Sequence, residues 1–118
     1  MNYDPNALLF TGWDYSSSFL LQGVTAGDVF FHEDHLVNAG EIVVTATRLD
    51  PSATPTVNVT TTATLATLHF TARKPLGVGS TDGRVDFGDP KQVCNGTVAA
   101  PGCGAITVTW SGGGVSAQ

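Results

Sequence analysis

The sequence predicts an all-β protein, an antiparallel β-sandwich, and three observations carry that expectation. Apolar and polar residues alternate with period two in several segments. Gly, Pro, Asn and Asp divide those segments at short intervals. Nowhere do apolar residues recur at helical spacing over three turns. Composition agrees, since only 13% of the 118 residues are charged. Thr, Gly, Ala and Val dominate, whereas helices draw on Glu, Lys, Arg, Leu and Gln. A chain of this length is one domain with a single core.

Along the chain, Tyr3-Asp4-Pro5 places a turn directly ahead of an apolar run, with two residues before it. A β domain rarely opens on the exit of a strand, so first strands are expected to be missing and Met1 is not expected to be the natural start. Segments 8–13 and 29–31 are apolar and β-prone, but their periodicity is poor. Ser16-Ser17-Ser18 ahead of Phe19-Leu20-Leu21 fits one helical turn or a short strand. In 41–47, Ile42, Val44 and Ala46 point one way and Glu41, Val43, Thr45 and Thr47 the other. The Thr-rich stretch 50–64, with two prolines, reads as a long surface loop. Segment 65–73 alternates most cleanly, with Ala66, Leu68, Phe70 and Ala72 against Thr67, His69, Thr71 and Arg73. Pro75 then stops it. Segment 84–87 is a shorter strand. In 105–110, Ile106, Val108 and Trp110 point inward. Ser111-Gly112-Gly113-Gly114 resembles the head of a linker, although Val115 could still pair.

Charge excludes one class of partner. A net charge of −5 with five cations cannot supply the phosphate contacts of nucleic-acid binding. No apolar run approaches the ~18 residues of a membrane span, so no membrane insertion is expected. No signal peptide is present, and the targeting segment of an exported protein would lie upstream. Cys94 and Cys103 bracket a Gly- and Pro-containing stretch and read as one disulfide, which implies an oxidising compartment. Two free, half-buried thiols are the alternative.

Chemistry finds little foothold. His32-Glu33-Asp34-His35 could offer a metal two imidazoles and two carboxylates. With no helix to aim both rings at one point, it reads as a solvated loop. No nucleophile sits in a strained Gly-x-Ser-x-Gly-type turn, and His69 is an outward strand residue. Paired-carboxylate chemistry has acids enough, but none in an apolar setting that would raise a pKa. No enzyme, metal or cofactor is expected. Asn58-Val59-Thr60 and Asn95-Gly96-Thr97 are glycosylation triplets of the kind a Thr-rich chain produces by chance. Trp13, Tyr15 and Trp110 could stack on sugars, but Trp110 shares the parity of Ile106 and Val108, and a core or rim role suits Trp13 and Tyr15.

With these segments in order, the chain resembles a cohesin domain, the jelly-roll module of cellulosomal scaffolds that receives dockerin domains. Tyr3-Asp4-Pro5-Asn6-Ala7-Leu8 resembles its strand-ending Tyr-Asp-Pro-x-x-Leu, and Gly27-Asp28-Val29-Phe30 the Gly-Asp that follows. Gly40-Glu41-Ile42-Val43-Val44 corresponds to the central Gly-x-Ile strand. Leu65-Ala66-Thr67-Leu68-His69-Phe70 resembles Leu-Ala-x-Ile-x-Phe, and Gly104-Ala105-Ile106-Thr107-Val108 the closing strand. The pieces are short, but together they span nearly the whole chain.

The resemblance implies a jelly roll over 1–111 with a Gly-rich tail at 112–118. Its function would be non-catalytic docking or scaffolding outside the cell or in the envelope, in the setting of polysaccharide breakdown. The partner would be a dockerin-like protein. The face that receives it would carry Glu41, Val43, Thr45, Arg84 and Asp86. Cohesins have about three strands before the Tyr-Asp-Pro turn, the third bearing polar docking residues, and this chain lacks them. The insertion between Cys94 and Cys103 is not a usual feature of the family. The same superfamily holds carbohydrate-binding modules, so a polysaccharide ligand or an adhesive surface role is the second expectation. A sandwich without its first strands exposes edges and apolar faces, so self-association, strand exchange or reliance on upstream sequence is also expected.

Overall fold

The computed structural model describes residues 1–49, 57, 59–60, 62–77, 81–89, 91, 93–94, 105–106, 109 and 111–114. Within them the protein is all-β, with antiparallel sheets and 3-10 turns. The strands are β1 (Asn2–Tyr3), β2 (Leu8–Asp14), β3 (Val29–Leu36), β4 (Glu41–Arg48), β5 (Thr67–Ala72), β6 (Arg84–Asp86), β7 (Val93–Cys94), β8 (Ala105–Ile106) and β9 (Gly113–Gly114). A five-stranded sheet has the order β3-β4-β1-β6-β9, while β2 pairs with β5 and β7 with β8.

The Tyr-Asp-Pro turn carries the chain from one sheet to the other. Asp4 drives it: its side chain accepts from Asn6 N at 2.9 Å, and its carbonyl from Ala7 N and Leu8 N. Tyr3 therefore ends in the five-stranded sheet and Leu8 begins the β2–β5 pair. Tyr3, Ala7, Leu8, Phe10, Ile42 and Leu76 form the buried core, with Leu68, Phe70, Val44 and Val85 packed against it. Phe70 meets both Tyr3 and Phe10 edge-on, at ring separations of 5.3 and 5.7 Å. Residues from both sheets thus close one sandwich-like core.

β2 explains its own poor periodicity. Leu8 pairs with Ala72 and Phe10 with Phe70, after which the register slips and Gly12 faces His69. Gly12 takes φ 146°, a conformation that favours glycine, and the extra residue forms a bulge. Trp13 is thereby returned to the face of Leu8 and Phe10, opposite Leu68. At 16–21 the helical turn prevails. Phe19–Leu21 is a 3-10 turn whose cap, Ser18, accepts from Leu20 N.

Strand β4 matches its pattern, with Ile42 fully buried and Val43, Thr45 and Thr47 exposed. β5 is shorter than 65–73 because β2 ends at Asp14, opposite Thr67. β6 likewise stops at Asp86. Some readings are corrected. No strand is expected before the Tyr-Asp-Pro turn, yet β1 directly precedes it and pairs with both β4 and β6, because Asn2 and Tyr3 are already extended ahead of Asp4. His32-Glu33-Asp34-His35 is not a solvated loop but the second half of β3, paired with β4 as far as Leu36 opposite Glu41. Polar residues on both faces of β3 hide its alternation. The glycine run expected to head a linker contributes β9, which pairs with β6. Cys103, Asn58, 95–97, most of the 50–64 loop and Trp110 lie outside the described residues.

Candidate functional site

The candidate docking face is the outer surface of the five-stranded sheet. Its frame is set by the short strand β1, which lies between β4 and β6: Asn2 faces Glu41 on one side and Asp86 on the other. Because directly opposed residues share a face, Leu36, Glu41, Asn2 and Asp86 form one row across four strands. Beyond it come the pairs Asp34–Val43, His32–Thr45 and Phe30–Thr47. The five residues singled out by sequence, Glu41, Val43, Thr45, Arg84 and Asp86, therefore lie on one face of one sheet.

Sequence reasoning missed the β3 half of that face, namely Phe30, His32, Asp34 and Leu36. The only available signal was a period of two from Val29 to Leu36, without hydrophobic contrast to mark it. These residues change its character. Leu36 is 58% exposed, Val43 49% and Phe30 47%, so aliphatic and aromatic groups sit in water beside Asp34, Glu41 and Asp86. Arg84 reaches Asp86 at 2.9 Å, an exposed pair worth at most about 1 kcal/mol. The patch combines exposed apolar side chains with acidic groups around them.

The inner side of β3 faces the β2–β5 pair. Phe31, Glu33 and His35 alternate there with the outward residues, and His35 packs on Phe10 at a ring distance of 5.3 Å. Glu33 Oε1 accepts from His35 Nδ1 at 2.7 Å, with the Glu33 side chain only 11% exposed. His32 and His35 therefore leave opposite faces of the strand, and the two imidazoles cannot close on one metal ion.

At the end of the sandwich, Tyr15 stacks on Phe31 with centroids 4.2 Å apart and planes 17° from parallel. Trp13 tilts against both, at 5.1 and 6.3 Å. These rings pack on one another and join the two sheets, as a rim cluster does. Three exposed ion or hydrogen-bond pairs set the charge states around the module. The Ser16 amide and hydroxyl hold Asp14 below the usual carboxylate range. The Thr25 hydroxyl and amide do the same for Asp28. Asp82, hydrogen-bonded to Lys74 at 2.8 Å, raises that ammonium above its ordinary value.

Among the described residues, no helix is long and apolar enough to cross a membrane. No family model matches the chain, and neither the curated proteins nor the solved structures yield a match.

Proposed function

We propose that the protein is a non-catalytic docking module of cohesin type, a jelly roll that receives a dockerin-like protein on the outer face of its five-stranded sheet. The observation that carries this reading is the position of β1 between β4 and β6. The strand ending in Tyr-Asp-Pro, the Gly-x-Ile strand and the strand bearing Arg84 and Asp86 become neighbours, as the cohesin docking face requires. Leu36 and Val43 supply its apolar centre, and Asp34, Glu41 and Asp86 its charge. The setting is extracellular or in the envelope, where a Cys94–Cys103 disulfide would persist.

The complete jelly roll carries further strands. One observation favours them among the described residues: beyond Ile42, no strand pairs with β4 on its β1 side.

Binding to a panel of purified dockerin domains tests the docking reading, with a glycan array run beside it. Specific capture by the parent, lost in Leu36→Asp and Val43→Asp while Thr71→Asp on the other sheet still binds, is the expected result. Glycan binding that survives both substitutions would replace it with a carbohydrate-binding role centred on Trp13 and Tyr15.

A further inference from the structure

Strand β3 ends the five-stranded sheet, and among the described residues its outer edge has no neighbour. Ile42 exchanges both its backbone bonds with Met1, at 2.8 and 2.6 Å. The alternation of an antiparallel ladder then turns the groups of Glu41, Val43 and Thr45 toward β3. Their opposites Leu36, Asp34 and His32 are satisfied by β4. The N–H and C=O groups of His35, Glu33 and Phe31 consequently point away from the sheet. This is a template for another strand, and an eight-residue edge with exposed Phe30 and Leu36 invites one.

The most available partner is the β3 of a second copy, paired antiparallel about a two-fold axis. With the axis at Glu33, the outer faces match well: Phe30 meets Leu36 and His32 meets Asp34. On the inner face, however, Glu33 meets its own symmetry mate. With the axis at Asp34, Glu33 meets the other copy's His35, and it is Asp34 that meets its own mate on the outer face. With the axis at His32, Glu33 is pressed against Phe31 of the other copy. Each of these three registers, among those with the longest overlap, juxtaposes like charges or buries a carboxylate against a ring, and both are costly.

We infer that Glu33, positioned by His35, is a guard that keeps β3 from pairing with another copy of this chain. An inward carboxylate would be a poor choice for stability alone, since Val29 and Phe31 occupy the same face of the same strand. Its side chain is tolerated because the strand is at the edge and the imidazole bonds it at 2.7 Å. Pairing would cover the small solvent-facing part that remains.

Sedimentation velocity over a concentration series, with hydrogen exchange read at single amides, tests this. Glu33→Val should tighten self-association by about tenfold or more and slow exchange at the amides of residues 31, 33 and 35, leaving those of 32 and 34 as they were. Glu33→Gln, which preserves size and can still bond His35, should show a smaller gain and serves if the valine variant does not fold. His69→Val adds an exposed apolar group to the other sheet and should change neither quantity. Folded Glu33 variants with the parent's mass distribution and exchange would overturn the inference. So would an equal rise in association for His69→Val.

Discussion

Tyr3 and Gly40 are locked backbone to backbone. The Tyr3 amide donates to the Gly40 carbonyl at 2.8 Å, and a Cβ on Gly40 would stand 2.0 Å from the Tyr3 oxygen and 2.8 Å from Pro5 Cδ. Gly40 also takes φ 65° to turn the chain from the 3-10 turn Val37–Ala39 into β4. The glycine of Gly-x-Ile and the proline of Tyr-Asp-Pro are thus two sides of one contact. That contact sets how β1 meets β4, and hence the spacing of Asn2, Glu41 and Asp86 on the candidate docking face.

Gly40→Ala should therefore destabilise the protein by about 1–3 kcal/mol from backbone strain, and more if the Tyr3 carbonyl cannot retreat. Gly77→Ala, which would meet nothing within 4 Å, should be close to neutral. Thermal unfolding of the two variants beside the parent checks the contrast, and equal melting temperatures would refute it.

Ile42 and Val43 are sequence neighbours with opposite surroundings. Ile42 is fully buried in the core and Val43 is 49% exposed. Truncation of Ile42 to alanine should cost about 2–5 kcal/mol, and of Val43 less than about 1 kcal/mol. Urea denaturation reads both. A larger loss at Val43 would mean that the outer face is covered.

Acid sensitivity should trace in part to Asp28. Its carboxylate accepts from the Thr25 hydroxyl at 2.7 Å and the Thr25 amide at 2.8 Å, which depress its pKa. A depressed folded pKa contributes stability in full above the unfolded value, and the contribution disappears as pH falls through the folded value. Thr25→Val removes the hydroxyl donor, so Asp28 should titrate at higher pH, closer to an ordinary aspartate. A carboxyl NMR titration checks it, and an unmoved midpoint would assign the depression to the amide alone.

The proposed Cys94–Cys103 disulfide makes its own prediction. Cys94 ends β7 and faces Ala105 across the β7–β8 pair. Closing the intervening stretch should stabilise by about 2–3 kcal/mol, so reduction, or Cys94→Ser, should lower the melting temperature. Mass spectrometry of alkylated, unreduced protein decides the bond itself, and two labelled thiols would remove the proposal.

Much of the sheet structure was written in local side-chain order. In 41–47 and 65–73 one face is apolar and the other polar, and water alone is enough to choose which face turns inward. The Asp4-Pro5 turn and the Ser18 cap are equally local, because a side chain satisfies backbone groups within a few residues of itself. The bulge at Gly12 was visible only as a broken pattern, since its sense depends on Phe10 and Trp13 both meeting β5. Only the start of β3, the apolar 29–31, was legible: its second half turns Glu33 and His35 inward, and hydrophobic contrast vanishes when an edge strand buries polar groups. The placement of β1 between β4 and β6 belongs to the tertiary structure, because hydrogen-bonded neighbours forty and eighty residues apart leave no mark in local periodicity. Sequence by itself determined which segments extend and which of their faces seek cover. Only the assembled sheets decided which outward residues, Leu36 and Asp34 among them, come to share a surface, because that depends on strand order and register rather than on any single strand.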